Sequence, residues 1–262
     1  MHSVPLSLEG KVALITGGSR GIGAAAVRLF HQAGARVAFS YRSANQAAVA
    51  LAAELGPNCL GIQQDLSTPE QGRALVAQTV EALGGIDILV ANHGVWPPDD
   101  APIVAMSDDQ WRTTLAVNLD SVFGLTQAAA AQMLRQSRAS TDLPAGHIVF
   151  VSSTAGQRGE ANHADYAASK GALISLTKSL SSELAPQGIS VNCVAPGWVD
   201  TDMSAAAFAN TVTRAKILSA IPQGRPARPM EIAGPILFLC TPYAGFISGE
   251  ILNVNGGAVL AG

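Results

Sequence analysis

KVALITGGSRGIGAAAVRLFHQA, residues Lys11–Ala33, joins three kinds of local order. Lys11–Thr16 is a short aliphatic and β-branched run, the composition of a strand buried on both faces. Gly17, Gly21 and Gly23 then fall in a Gly-x3-Gly-x-Gly turn. From Ala24 onward the apolar residues recur at helical spacing. Strand, glycine turn and helix together make a site for a pyrophosphate, because the turn admits close backbone approach and the helix start offers unbonded N–H groups. No Gly-Lys-Ser/Thr follows, which excludes a Walker loop.

The alternation continues along the chain. Strand-like runs at Arg36–Ser40, Cys59–Gln63, Ile86–Ala91, His147–Val151, Ser190–Val194 and Ile251–Val254 are separated by helical patterns. Those are Asn45–Leu55, Pro69–Leu83, a long region Ser107–Arg138, Asp165–Leu184 and Met230–Cys240. Repeated βα units with short connections predict an α/β chain, a single-domain doubly wound Rossmann fold whose parallel seven-stranded sheet carries helices on both faces. Residues 1–262 are expected to form one domain, with 8–100 mainly the dinucleotide-binding half and 101–262 the catalytic half, including a substrate lid at about 202–228. Ligands of such sheets lie beyond the carboxyl ends of the strands. Gly17–Gly23, Ser40–Ser43, Asp65, Asn92–Gly94, Ser153 and Pro196–Thr201 all fall there.

A second stretch carries the chemistry. Val151–Lys170 reads VSSTAGQRGEANHADYAASK. Tyr166 and Lys170, spaced i and i+4, share one helix face. An ammonium beside a phenol lowers a pKa that is ~10 when unperturbed, which suits the phenol to acid–base work near neutral pH. Ser153 offers a second hydroxyl to a substrate oxygen.

Composition narrows the partners. With 48% hydrophobic residues, 13% charged residues and a net charge of −3, the 262-residue chain can bury a large core and shows no basic run suited to nucleic acid or an anionic membrane. Cys59, Cys193 and Cys240 lack any C-x-x-C or Cys/His ligand spacing, so no metal site is expected. The N-terminus has no basic-then-apolar signal pattern and no run approaches ~18 apolar residues. A cytoplasmic location is the expectation.

Taken together, Thr16–Gly23 (TGGSRGIG), Asp65, Ala91–Gly94 (ANHG), Asn118 in VNLD, Ser153, Tyr166-x3-Lys170 and Pro196-Gly197 through Thr201 resemble the short-chain dehydrogenase/reductase family. The resemblance runs from Leu8 to Asn255-Gly-Gly. It implies a catalytic tetrad of Asn118, Ser153, Tyr166 and Lys170. In that scheme Tyr166 protonates the carbonyl oxygen during reduction and Ser153 orients that oxygen. Lys170 binds the nicotinamide ribose and lowers the tyrosine pKa. Asn118 kinks its helix and holds a water that links Lys170 to solvent.

The same resemblance implies a cofactor held by Gly17, Ser19, Arg20, Gly21, Ile22 and Gly23, with Tyr166 and Lys170 at its nicotinamide end. Asp65 and Leu66 border the adenine, and Asn92 and Gly94 line the ribose side. Pro196, Gly197, Val199 and Thr201 surround the carboxamide and diphosphate. An NAD site usually places a carboxylate ~20 residues after the glycines to bond the ribose 2′-OH. This chain has Ser40, Tyr41, Arg42 and Ser43 there, with Arg20 in the glycine turn. Guanidinium groups and hydroxyls suit a 2′-phosphate, so NADP(H) is favoured over NAD(H).

Among family members the pattern is most similar to 3-oxoacyl-[acyl-carrier-protein] reductases, on IPQGR, P-x-EIA and the NVNGG ending. The chain departs from them at Ser182, where an Arg is common, at Val95–Asp99, and in a long insert Ser137–Ala145. The substrate is therefore a small-molecule carbonyl or acyl thioester. A broad-range carbonyl reductase or secondary-alcohol dehydrogenase is the alternative, and the intact tetrad argues against a non-catalytic NADPH-binding sensor. Loops near Gly94–Ala101, Ala155–His163 and Asp202–Arg228 are expected to set specificity, with Trp96 and Trp198 as apolar walls and His163 as a pocket-wall residue. His93, in place of a small residue, is expected to be structural. The resemblance further implies a homotetramer.

Overall fold

A computed structural model of the chain describes residues 6–136 and 144–261. The strands are β1 (Val12–Ile15), β2 (Arg36–Tyr41), β3 (Cys59–Gln63), β4 (Ile88–Ala91), β5 (Gly146–Val151), β6 (Ile189–Pro196) and β7 (Ile251–Val254). They form one seven-stranded sheet in the order β3-β2-β1-β4-β5-β6-β7, every neighbouring pair parallel. The order reverses between β1 and β4, which opens a crevice at their carboxyl ends.

Alternation along each strand divides the core between two faces. Ala13 and Ile15 point to one side, where they pack with Val27 and Phe30 of α1 (Gly21–Gln32), Leu51 of α2 (Asn45–Leu55) and Ile232 and Ile236 of α10 (Pro229–Leu239). Val12 and Leu14 point to the other, against Leu75 of α3 (Pro69–Leu83), Leu125 and Met133 of α5 (Ser121–Arg135) and Leu173 of α7 (Ala164–Leu184). Helices thus cover both faces, and each fully buried Leu or Ile contributes ~1.5–3 kcal/mol relative to an exposed one.

Local chemistry sets the helix ends. Thr68 caps α3, accepting from the Gln71 N–H at 3.3 Å while the Gln71 carboxamide accepts the Thr68 N–H at 3.0 Å, with Pro69 at the first helical position. This is a capping box with the fixed φ of proline behind it.

The helical region expected over Ser107–Arg138 is not one helix. It comprises α4 (Asp108–Leu115), capped by Ser107, a π-helical turn Ala116–Asp120, and α5. Widening the turn by one residue lets buried Asn118 turn its side chain sideways instead of along the helix surface. Arg138 and most of the insert from Ser137 lie outside the described residues. Three short helices had no signal in the sequence pattern: α6 (Thr154–Arg158), α8 (Ala205–Ala209) and α9 (Thr211–Ser219). The last two occupy the expected lid, whose ends are tied where Val199 bridges Ala227. Among the described residues no helix is long and apolar enough to cross a membrane.

Candidate active site

A cleft of about 330 Å³ opens at the carboxyl edge of the sheet. Every expected cofactor position lines it, from Gly17 in the glycine turn through Arg42, Asp65 and Asn92 to Thr201, together with Ser153, Tyr166 and Lys170. Asn118 does not. It lies fully buried behind Gly94, where its amide nitrogen donates to the Val95 carbonyl (2.9 Å) and Ser169 Oγ (3.0 Å), and its oxygen accepts the Val95 N–H (2.8 Å).

Steric limits show why the turn needs its glycines. A Cβ on Gly23 would meet the Gly17 carbonyl at 2.1 Å, and one on Gly94 would stand 3.3 Å from Lys170 Nζ. At Gly23 backbone approaches backbone too closely for any side chain, whereas at Gly94 a Cβ would force Asn118 Oδ1 and Lys170 Nζ to give by a few tenths of an ångström. Thr16 at the end of β1 knits the edge together. Its hydroxyl oxygen accepts the N–H groups of Asn92 (3.0 Å) and His93 (3.2 Å), and the Asn92 amide donates to the Thr16 carbonyl (2.9 Å).

His93 is structural, as expected. Nε2 lies 3.1 Å from the Val117 carbonyl and 2.8 Å from Ser121 Oγ, so Nε2 carries the proton; Nδ1 then accepts from Thr16 Oγ1 at 2.7 Å. Burial, with the Lys170 charge second, pushes its pKa down to about 3. The ring remains neutral.

Ser153 follows β5 by two residues and caps α6, accepting the Ala155 N–H at 3.1 Å. Tyr166 and Lys170 stand one turn apart on α7. The expected lowering of the Tyr166 pKa by Lys170 is not what this geometry gives. Burial pushes the phenol up to about 12, opposed by a hydrogen bond with Ser153 and assisted by the negative charge of Glu160. Lys170 Nζ sits 5.8 Å from the centre of the phenol ring and donates to the Val151 carbonyl at 2.8 Å. Burial lowers its own pKa to about 8. An ammonium spent on a carbonyl, in a site where desolvation penalises every charge, does little for the phenolate.

The two cations expected near a 2′-phosphate, Arg20 and Arg42, are exposed at the cleft rim. Arg20 forms an ion pair with Asp202 at 3.5 Å, linking the glycine turn to the start of the segment expected to be a lid. Trp96 and Trp198 line the cleft and meet edge to face at 6.0 Å, and Phe208 of α8 meets Trp198 at 5.7 Å. His163 is one layer back from its expected place on the wall: it is buried and stacks on Trp96 at 4.8 Å. Phe208 and the cleft-lining Glu160 were not singled out by sequence reading. Only their position inside the expected specificity loops hinted at them.

Comparison with known proteins places the whole chain among relatives of one kind. A family model described as enoyl-(acyl carrier protein) reductase matches residues 17–259. The 3-oxoacyl-[acyl-carrier-protein] reductase FabG of Vibrio cholerae is 38% identical over 252 residues, covering 96% of this chain and 98% of the relative. A 3-ketoacyl-(acyl-carrier-protein) reductase from Brucella melitensis, solved with NADH, superposes with a TM-score of 0.87 at 31% identity over 97% of this chain and 100% of that one. A short chain dehydrogenase from Burkholderia cenocepacia, solved with NADP, gives 0.86 at 35% identity over 96% and 98% of the respective chains. On sequence, fold and the arrangement of its cleft, the chain belongs to the short-chain dehydrogenase/reductase family.

Proposed function

We propose that the chain is an NADP(H)-dependent reductase of the 3-oxoacyl thioester type. One observation carries the reading: Ser153, Tyr166 and Lys170 converge on the same cleft as the glycine turn and the Arg20–Arg42 rim. The bound nicotinamide supplies the hydride. Tyr166, protonated in its buried setting, donates its phenolic proton to the carbonyl oxygen as the alcohol forms. Ser153 holds that oxygen beside the phenol. Lys170, whose Nζ donates to the Val151 carbonyl, would hold the nicotinamide ribose and supply positive charge to the proton path. Asn118 acts from behind, fixing Val95 and hence the loop that carries Trp96.

The glycine turn packs backbone on backbone, since a Cβ on Gly23 would strike the Gly17 carbonyl at 2.1 Å, and the start of α1 behind it would offer N–H groups to a diphosphate. The rim arginines support a 2′-phosphate, and hence NADP(H) over NAD(H), by charge complementarity. The curated relative named above is a 3-oxoacyl-[acyl-carrier-protein] reductase, which supports an acyl thioester as substrate. A homotetramer fits the exposed apolar Phe123 on α5 and Phe246, which an assembly would cover. A cytoplasmic enzyme without a nucleic-acid partner fits the net charge of −3.

The test is NADPH consumption with a 3-oxobutanoyl thioester, with the Tyr166→Phe protein as control. Tyrosine-dependent oxidation of NADPH supports the reading. Intact NADPH binding with no turnover on this or other carbonyls defeats it.

A further inference from the structure

Glu160 lies between α6 and α7, in a segment that turns sharply on either side of it: Gly159 has φ +79° and Asn162, a non-glycine, has φ +65°. A left-handed asparagine is held only where its surroundings fix it. Here the Asn162 carbonyl accepts the Ala101 N–H at 2.9 Å, its amide donates to Asp100 Oδ2 at 3.3 Å, and His163 Nε2 donates to the Pro97 carbonyl at 3.0 Å. The two loops are thereby locked into one wall. Trp96 stacks on His163 within it and lies beside Glu160.

Glu160 is the acidic group that this wall turns into the reaction cleft. It lines the same cleft as Ser153, Tyr166 and Trp198. Among the described residues it has no ion-pair partner within 4 Å; Arg158, His163 and Asp100 act on it only at longer range. Its half-buried position pushes its pKa up, and its charge reaches the Tyr166 phenol. A carboxylate accepts several hydrogen bonds and donates none. A donor on the substrate that meets its oxygens in this cleft gains a charge-assisted hydrogen bond.

We propose that Glu160 is a specificity-determining residue, whose carboxylate receives a hydrogen-bond donor, a hydroxyl or an ammonium, that the substrate carries beyond its reacting carbonyl. The proposal rests on the carbonyl-reductase reading of the site. With the carbonyl at Ser153 and Tyr166, the neighbouring part of the substrate runs along the Trp96 side of the cleft and meets Glu160. An anionic group in that place is rejected.

The experiment compares NADPH-dependent reduction of 2-pentanone, 4-hydroxy-2-butanone, 4-amino-2-butanone and 4-oxopentanoate, four ketones of similar shape, alongside a 3-oxobutanoyl thioester. In the wild type, kcat/KM for at least one donor-bearing ketone should exceed that for 2-pentanone by about tenfold or more, the worth of a charge-assisted hydrogen bond, with 4-oxopentanoate the poorest. Glu160→Ala should bring that ratio to about one. Glu160→Gln separates the two donors, since an amide oxygen keeps the preference for a hydroxyl and loses that for an ammonium. A ratio near one in the wild type, or one unchanged in Glu160→Ala, overturns the proposal. So does reduction of the thioester with none of the ketones accepted. Failure of every carbonyl, thioester included, defeats the reductase reading and this proposal with it.

Discussion

Lys170 donates from Nζ to the Val151 carbonyl at 2.8 Å, which holds a buried ammonium at the carboxyl end of β5. Burial lowers its pKa from 10.5 to about 8. The folded chain therefore binds fewer protons than the unfolded chain between those values, and this group's contribution to stability rises with pH across that window. Lys170→Met should be the more stable protein at pH 7, by up to about 3 kcal/mol less about 1 for the lost hydrogen bond. The advantage should shrink as pH rises from 8 to 10. Melting temperatures of both proteins across that range check it, and a gap independent of pH would refute the assignment.

His93 should behave in the opposite pH range. Its neutral ring bridges Thr16, just after β1, and Ser121 of α5 through bonds of 2.7 and 2.8 Å, and its pKa falls from 6.5 to about 3. Below pH 6.5 the unfolded chain takes up the proton first, so stability is lost as pH falls through that range. His93→Ala should destabilise at pH 7 by ~1–3 kcal/mol through lost hydrogen bonds. Its deficit should narrow by on the order of 2 kcal/mol at pH 5, because the alanine protein has no such proton to take up. Urea unfolding at the two pH values measures the narrowing.

The contrast between these residues shows what the sequence made legible. The strand–turn–helix at Lys11–Ala33 specified the sheet, because β-branched runs, glycine turns and helical periodicity are local signals, and every expected strand is present. The cofactor positions followed, since the ends of parallel strands meet at one edge whatever the side chains. The state of Tyr166 was not legible. An i, i+4 spacing places Lys170 near the phenol, but desolvation and the Val151 carbonyl, both long-range features, decide what the ammonium does there. Glu160 was hidden for the same reason: only the fold shows that Asn162, Asp100 and His163 turn it inward.

Arg42 and Arg20 carry the cofactor prediction. Both guanidinium groups stand at the cleft rim, and among the described residues Arg20 is tied only to Asp202, through an exposed 3.5 Å pair that contributes little. Arg42→Ala should raise the Kd for NADPH by about tenfold and leave that for NADH within about twofold, because only the former has a 2′-phosphate to bond. Arg20→Ala should act in the same direction. Fluorescence titrations with the two nucleotides give the comparison; equal losses for both would place the arginines elsewhere in the site.

Tyr166→Phe isolates the proton donor. The substitution removes one oxygen from a side chain that burial already holds protonated, with a pKa pushed up to about 12, so neither charge nor shape changes at neutral pH. NADPH affinity and melting temperature should therefore stay close to wild type. The carbonyl oxygen, by contrast, loses its acid, and Ser153 remains as a neutral hydroxyl that caps α6 and is too weak an acid to replace it. The rate of carbonyl reduction should fall by about 10²–10⁴-fold, the range for loss of a positioned general acid. Single-turnover oxidation of bound NADPH reads this step free of product release. A rate within about tenfold of wild type would mean that water delivers the proton and that Tyr166 serves only to shape the cleft.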